Sequence, residues 1–96
     1  MKKTVSKIKK QEITFSLEDA GAQSVFVLGD FNDWDETSLP LKKNKKGTWE
    51  RKIKLEPGRY EYKFMVDGNW RIDINNSQLS QNNFGTTNNV LTVVPA

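Results

Sequence analysis

The sequence predicts an all-β sandwich, on three observations. Apolar and polar residues alternate with a period of two in several segments, turn signals recur every eight to twelve residues, and no segment makes a credible helix. The first strand opens at Gln11, with Ile13, Phe15 and Leu17 set against polar neighbours until Ala20-Gly21-Ala22 breaks the pattern. Val25-Phe26-Val27-Leu28 is a continuous apolar run ending at Gly29-Asp30, as expected of a strand covered on both faces. A loop carrying Trp34 follows. Leu39-Pro40-Leu41 suits a short edge segment, because proline cannot donate to a ladder, and Lys42-Lys43-Asn44-Lys45-Lys46-Gly47 reads as a charged turn. Trp49-Glu50-Arg51-Lys52-Ile53-Lys54-Leu55 alternates again, which places Trp49 in the core. Glu56-Pro57-Gly58 turns the chain into a strand over 59–66. Tyr60, Tyr62, Phe64 and Val66 share one of its faces, and Arg59, Glu61, Lys63 and Met65 take the other. Trp70-Arg71-Ile72 resumes after the Asp67-Gly68 turn, and the polar residues 73–83, which lack periodicity, are expected to form an irregular surface loop. The last strand is Val90-Leu91-Thr92-Val93-Val94, followed by Pro95-Ala96, and no repeat or linker suggests a second domain.

Composition narrows the function. Ninety-six residues suit one domain, which at this size buries somewhat over ~60% of the surface its unfolded chain exposes. Such a core leaves little room for a deep enclosed cleft. The chain has no cysteine and no histidine, so thiolate metal sites, disulfides and imidazole acid-base chemistry are excluded. No run approaches the ~20 apolar residues of a membrane span, and the basic N-terminus lacks the apolar stretch of a secretory signal, so a cytoplasmic location is expected. Asn75-Asn76-Ser77 fits a glycosylation sequon that would matter only in a secreted chain. The net charge of +3 is unevenly spread. Five of the fifteen basic residues lie in residues 1–10, which hold no acid, leaving ten against twelve acidic residues in the remainder. The folded part is therefore mildly acidic. Residues 1–10 are expected to be a solvated, disordered arm, a polyanion-binding arm being the other reading, with the domain over 11–96.

Trp34 and Trp70 differ from Trp49. Trp34 lies between carboxylates in Gly29-Asp30-Phe31-Asn32-Asp33-Trp34-Asp35, and Trp70 follows the Asp67-Gly68 turn, where an exposed flat ring is easier to place than a buried one. Exposed rings of this kind serve as stacking platforms. One face of a glucose ring is rich in C–H groups while its rim is hydroxyls, so a sugar-binding surface needs aromatic platforms flanked by hydrogen-bonding groups. Lys63, on the face opposite Tyr62 and Phe64 and hence outward, and the amides Asn88-Asn89 before the final strand provide them. The competing reading has both rings tucked back as caps on a small core.

Three ordered motifs carry a resemblance. The run Val25-Phe26-Val27-Leu28-Gly29-Asp30-Phe31-Asn32-Asp33-Trp34, then Leu55-Glu56-Pro57-Gly58-Arg59-Tyr60-Glu61-Tyr62-Lys63-Phe64-Met65-Val66-Asp67-Gly68-Asn69-Trp70, then Phe84-Gly85-Thr86-Thr87-Asn88-Asn89-Val90, strongly resembles family 48 carbohydrate-binding modules. These include the glycogen-binding domain of the AMP-activated kinase β subunit and the N-terminal domains of isoamylases and branching enzymes. The resemblance covers residues 11–94 and implies an immunoglobulin-like sandwich that binds α-1,4-glucans such as glycogen or starch, without catalysis and without a cofactor. It implies stacking on Trp34 and Trp70, hydroxyl binding by Lys63, and hydrogen bonding by Thr86 and Asn88. It places an apolar loop residue at Phe84, where the kinase-subunit modules have leucine. Such modules usually target a larger protein to glucan, which makes a glycogen- or starch-metabolising enzyme the expected partner.

Rival readings are weaker. Asp30, Asp33, Asp35 and Glu36 invite a metal or hydrolase reading, but a calcium loop starting at Asp30 would want an oxygen ligand at Trp34, a glycine at Asp35 and a glutamate at Leu41. A glycosidase needs two carboxylates across a cleft, and these four acids share one loop, where turn-forming roles suffice, as for Asp67. Single-stranded nucleic acid could use aromatics and lysines together, yet Lys42 to Lys46 and the arm are not interleaved with Trp34 or Trp70. A protein-interaction module that lost its sugar is opposed by the intact Trp34, Lys63, Trp70 and Asn88.

Overall fold

The computed structural model describes residues 9–95. Of the arm expected over 1–10, residues 1–8 lie outside the described residues, while Lys9 and Lys10 are exposed. The strands are β1 (Gln11–Glu18), β2 (Val25–Gly29), β3 (Lys42–Lys43), β4 (Thr48–Leu55), β5 (Gly58–Val66), β6 (Asn69–Arg71), β7 (Leu79–Gln81) and β8 (Thr87–Val93). They form two antiparallel sheets, β1-β4-β3 and β2-β5-β8-β7, with β6 paired to the end of β5. The architecture is an immunoglobulin-like sandwich, as the strand pattern and the resemblance anticipate.

Period-two alternation aims the inner faces of the sheets at each other. Phe15 and Leu17 of β1 meet Val25 and Val27 of β2 and Tyr62, Phe64 and Val66 of β5 in one buried cluster. The Phe15 and Tyr62 rings pack edge to face with centroids 5.0 Å apart. Trp49 belongs to this core as expected, and its indole N–H donates to the Asp19 carbonyl at 2.9 Å. Val25, Val27 and Leu28 are all buried, so β2 is covered on both faces along most of its length.

Three local expectations change. Lys42 and Lys43 are not part of a turn but form β3, opposite Glu50 and Trp49. The turn is confined to Asn44-Lys45-Lys46-Gly47, where the Asn44 carboxamide accepts from the N–H of Lys46 and of Thr48 and Gly47 takes φ +84°. Leu39-Pro40-Leu41 does run along the β2 edge, with Val27 N–H donating to Leu39 and Leu41 N–H to Val25. Within the expected loop 73–83, β7 pairs with β8, because backbone ladders form without apolar alternation at a sheet edge. The third change concerns the amides, which stand inside β8 rather than before it. Asn88 therefore faces outward and Asn89 inward, where it is fully buried.

The buried amide is satisfied. Asn89 Nδ2 donates to the carbonyls of Asp73 and Asn76, and its Oδ1 accepts from Asp73 N–H. The Tyr62 hydroxyl donates to Asp73 Oδ2 at 2.8 Å and accepts from Asn76 Nδ2. Burial pushes the Tyr62 phenol well above its ordinary range; the Asn76 bond opposes this and Asp73 adds to it. Asp67 is a turn residue at φ +50°, and it also clamps the approach to β2, since its Oδ1 accepts from Gln23 and Ser24 N–H.

Candidate functional site

Side chains that alternate away from the core along β5, β6 and β8 meet on the outer face of the larger sheet. Trp34, Lys63, Trp70, Phe84, Thr86 and Asn88 line one open groove of 680 Å³ there. Each of the six residues expected from the sequence is present in it.

Trp34 is delivered by a strained loop. After a 3-10 turn over Asp30–Asn32, both Asp33 and Trp34 adopt left-handed backbone, φ +55° and +57°, at a cost of order 1–3 kcal/mol each. Asn32 holds the loop in this shape. Its Oδ1 accepts from Gly29 N–H at 2.9 Å, and its Nδ2 donates to Ser38 Oγ at 2.9 Å and to the Val27 carbonyl at 3.3 Å. The loop also lies hard against β5. A Cβ on Gly29 would sit 2.5 Å from the Glu61 carbonyl oxygen and 2.8 Å from Tyr62 Cβ, so only glycine fits. Asp30 then orients the ring, accepting the indole N–H of Trp34 at 3.1 Å.

Trp70, opposite Met65 on β6, faces Trp34 with ring centroids 6.1 Å apart and planes inclined at 67°. The two rings are unequal. Trp70 is 51% exposed, whereas Trp34 is half-buried, and neither belongs to the core cluster. Lys63 departs from expectation: its face is outward, but its side chain is only 8% exposed. Its Nζ lies 5.7 Å from the Trp70 ring centroid and donates to Thr86 Oγ1 at 3.2 Å, so Lys63 forms the floor of the groove rather than a free projection. Asn88 donates to Glu61 Oε1 at 3.0 Å, and Glu61 is paired on its other oxygen with Arg59.

The far wall is the β7-β8 hairpin. Gly85, at φ +80°, closes a turn by donating to the Asn82 carbonyl, and the connection over residues 82–86 lifts Phe84 to 90% exposure. Asp30, Glu61, Asn82 and Asn83 complete the lining. Sequence reasoning missed all four as groove residues. Asp30 reads as a turn residue, and only its placement four residues before a tryptophan could have flagged it. Asp35 keeps the expected turn role, accepting from Thr37, and among the described residues no cluster is arranged to hold a metal.

An open aromatic groove with a hydrogen-bonding floor, set on the face of a β-sandwich, defines a ligand-binding module. More narrowly, the chain belongs to the family 48 carbohydrate-binding modules: residues 11–96 match the family model described as the glycogen recognition site of AMP-activated protein kinase. It is 40% identical over 72 residues to Protein FLOURY ENDOSPERM 6, chloroplastic, of Oryza sativa subsp. japonica, a match covering 75% of this chain and 13% of that protein. It is 33% identical over 73 residues to 5'-AMP-activated protein kinase subunit beta-1 of Sus scrofa, covering 76% of this chain and 57% of that one. The chain thus spans only part of the relatives it matches. A crystal structure of maltogenic amylase from S. marinus shares the fold at a TM-score of 0.76 and 18% identity, covering 91% of this chain and 14% of the enzyme.

Proposed function

We propose that this domain binds α-1,4-glucan, as glycogen, starch or malto-oligosaccharide, without acting on it chemically, through Trp34, Lys63, Trp70, Phe84, Thr86 and Asn88. The observation that carries this reading is the Trp34–Trp70 pair, with planes inclined at 67° and Lys63 Nζ lying 5.7 Å from the Trp70 ring centroid. An α-1,4 linkage turns each glucose relative to the last, so two inclined platforms suit its curved chain, whereas a flat ribbon of sugars would need coplanar rings. Lys63, Thr86 and Asn88 then meet hydroxyls at the rim. A nucleic-acid backbone fits less well, because Asp30 and Glu61 share the groove with Lys63.

The domain is assigned to residues 11–96, with 1–10 as a basic arm outside it and the cytoplasm as its compartment. The chloroplastic designation of the rice relative describes that protein. Within a longer or associated chain, the module would bring a glycogen- or starch-metabolising enzyme to its substrate. Affinity electrophoresis tests the reading. Mobility should fall in a native gel containing glycogen and stay normal in one containing dextran, and the retardation should survive moderate salt, since stacking releases no counterions. Normal mobility in glycogen contradicts it.

A further inference from the structure

Asn82 precedes the loop Asn83-Phe84-Gly85, and its side chain dictates which way the hydrogen bonds of the groove floor run. Its Oδ1 accepts from the backbone N–H of Phe84 at 2.9 Å and of Thr86 at 3.1 Å. An amide oxygen facing two N–H donors cannot exchange places with its nitrogen, so the orientation of the carboxamide is forced. Nδ2 must then be the atom that donates to Thr86 Oγ1 at 2.6 Å and to Asn88 Oδ1 at 3.3 Å. Lys63 Nζ, which has hydrogens and no lone pair, also donates to Thr86 Oγ1. Both lone pairs of that hydroxyl are occupied. Only its hydrogen remains to be given.

We propose that Asn82 is a positioning residue that fixes the donor polarity of the groove, making the Thr86 hydroxyl an obligate donor to the ligand. The ligand must therefore present an accepting oxygen at that point. The proposal rests on the glucan reading, in which that oxygen is a hydroxyl or ring oxygen of the sugar. Asn82→Asp keeps an oxygen for the two backbone donors but replaces the donating nitrogen with a second acceptor. The Thr86 hydroxyl then donates to the new carboxylate and is withdrawn from the groove.

The test is a double-mutant cycle read by titration with maltoheptaose. Asn82→Asp and Thr86→Val should each weaken binding about tenfold, equivalent to ~1.4 kcal/mol. The double variant should bind no more weakly than Thr86→Val, because Asn82 acts through a hydroxyl that is already gone. Thr86→Ser should restore most of the affinity. Wild-type affinity in Thr86→Val, or additive losses in the double variant, overturns the proposal. Should Asn82→Asp fail to fold, the comparison of Thr86→Val with Thr86→Ser decides. Wild-type protein that ignores maltoheptaose overturns the glucan reading instead. In that event the side-chain amide resonances of Asn82 in the free protein decide the polarity: Thr86→Val must move one Nδ2 proton upfield, and an unchanged resonance contradicts the assignment.

Discussion

Asp30 grips Trp34 by its indole while it is itself tied to β5. Its Oδ1 accepts the Trp34 Nε1–H at 3.1 Å, and its Oδ2 accepts the Glu61 backbone N–H at 2.8 Å. The Trp34 ring is therefore held in place by the fold itself, although its backbone sits in a strained loop.

Asp30→Ala should free the ring. Immobilising a side chain costs about 0.5–1.5 kcal/mol, so paying that cost at binding should weaken maltoheptaose affinity roughly two- to twelvefold. The Trp34 indole N–H resonance should exchange faster with solvent, while that of Trp49, bonded to the Asp19 carbonyl, serves as the unchanged reference. Unaltered exchange at Trp34 would mean that the ring is held by something else.

Gly29→Ala tests the close approach of the loop to β5. The backbone there is extended at φ −172°, which any residue adopts, so the penalty is one of space and not of conformation. The added methyl should cost about 1–3 kcal/mol, as for other overpacked sites, and lower the melting temperature by at least ~4 °C. Because Trp34 N–H donates to the Gly29 carbonyl at 3.0 Å, glucan affinity should fall with it. A melt that matches the wild type would show that the loop can shift at no cost.

Acid stability should depend on Arg71. Its guanidinium donates to Asp19 Oδ2 at 2.9 Å and holds the Asp19 carboxyl below the usual carboxylate value of 3.8, with lesser help from the N–H groups of Gly21 and Ala22. A depressed folded-state value stabilises the protein above the unfolded value and ceases to do so as pH falls through the folded one. Arg71→Met should therefore melt lower than the wild type at neutral pH, with the gap closing at pH values below 3.8. A gap that is constant across that range would assign Arg71 a packing role instead.

Much of this was legible in the sequence, and the limits have physical causes. Period two marks β1, β4 and β5 and separates the buried Trp49 from Trp34 and Trp70, because alternation reports which face a side chain takes. It does not report what covers that face. Lys63 is assigned outward correctly, but its burial follows from Trp70 on the adjoining β6 and from the β7-β8 hairpin, neither of which the alternation of β5 reports. β7 is hidden because Leu79-Ser80-Gln81 pairs through its backbone at a sheet edge. Asp30 and Asn82 look like ordinary turn residues, and Asp30 reaches 31 positions along the chain to find Glu61.

Thermal melts with maltoheptaose titrations on three alanine variants test directly whether Trp34 and Trp70 form a ligand platform while Trp49 forms core. Trp49→Ala should cost on the order of 3–5 kcal/mol of stability. Trp34→Ala and Trp70→Ala should melt close to the wild type while each loses a stack worth roughly 2 kcal/mol, about thirtyfold in dissociation constant. If Trp34→Ala and Trp70→Ala unfold as readily as Trp49→Ala, or fold and bind maltoheptaose unchanged, the two rings are not a ligand platform.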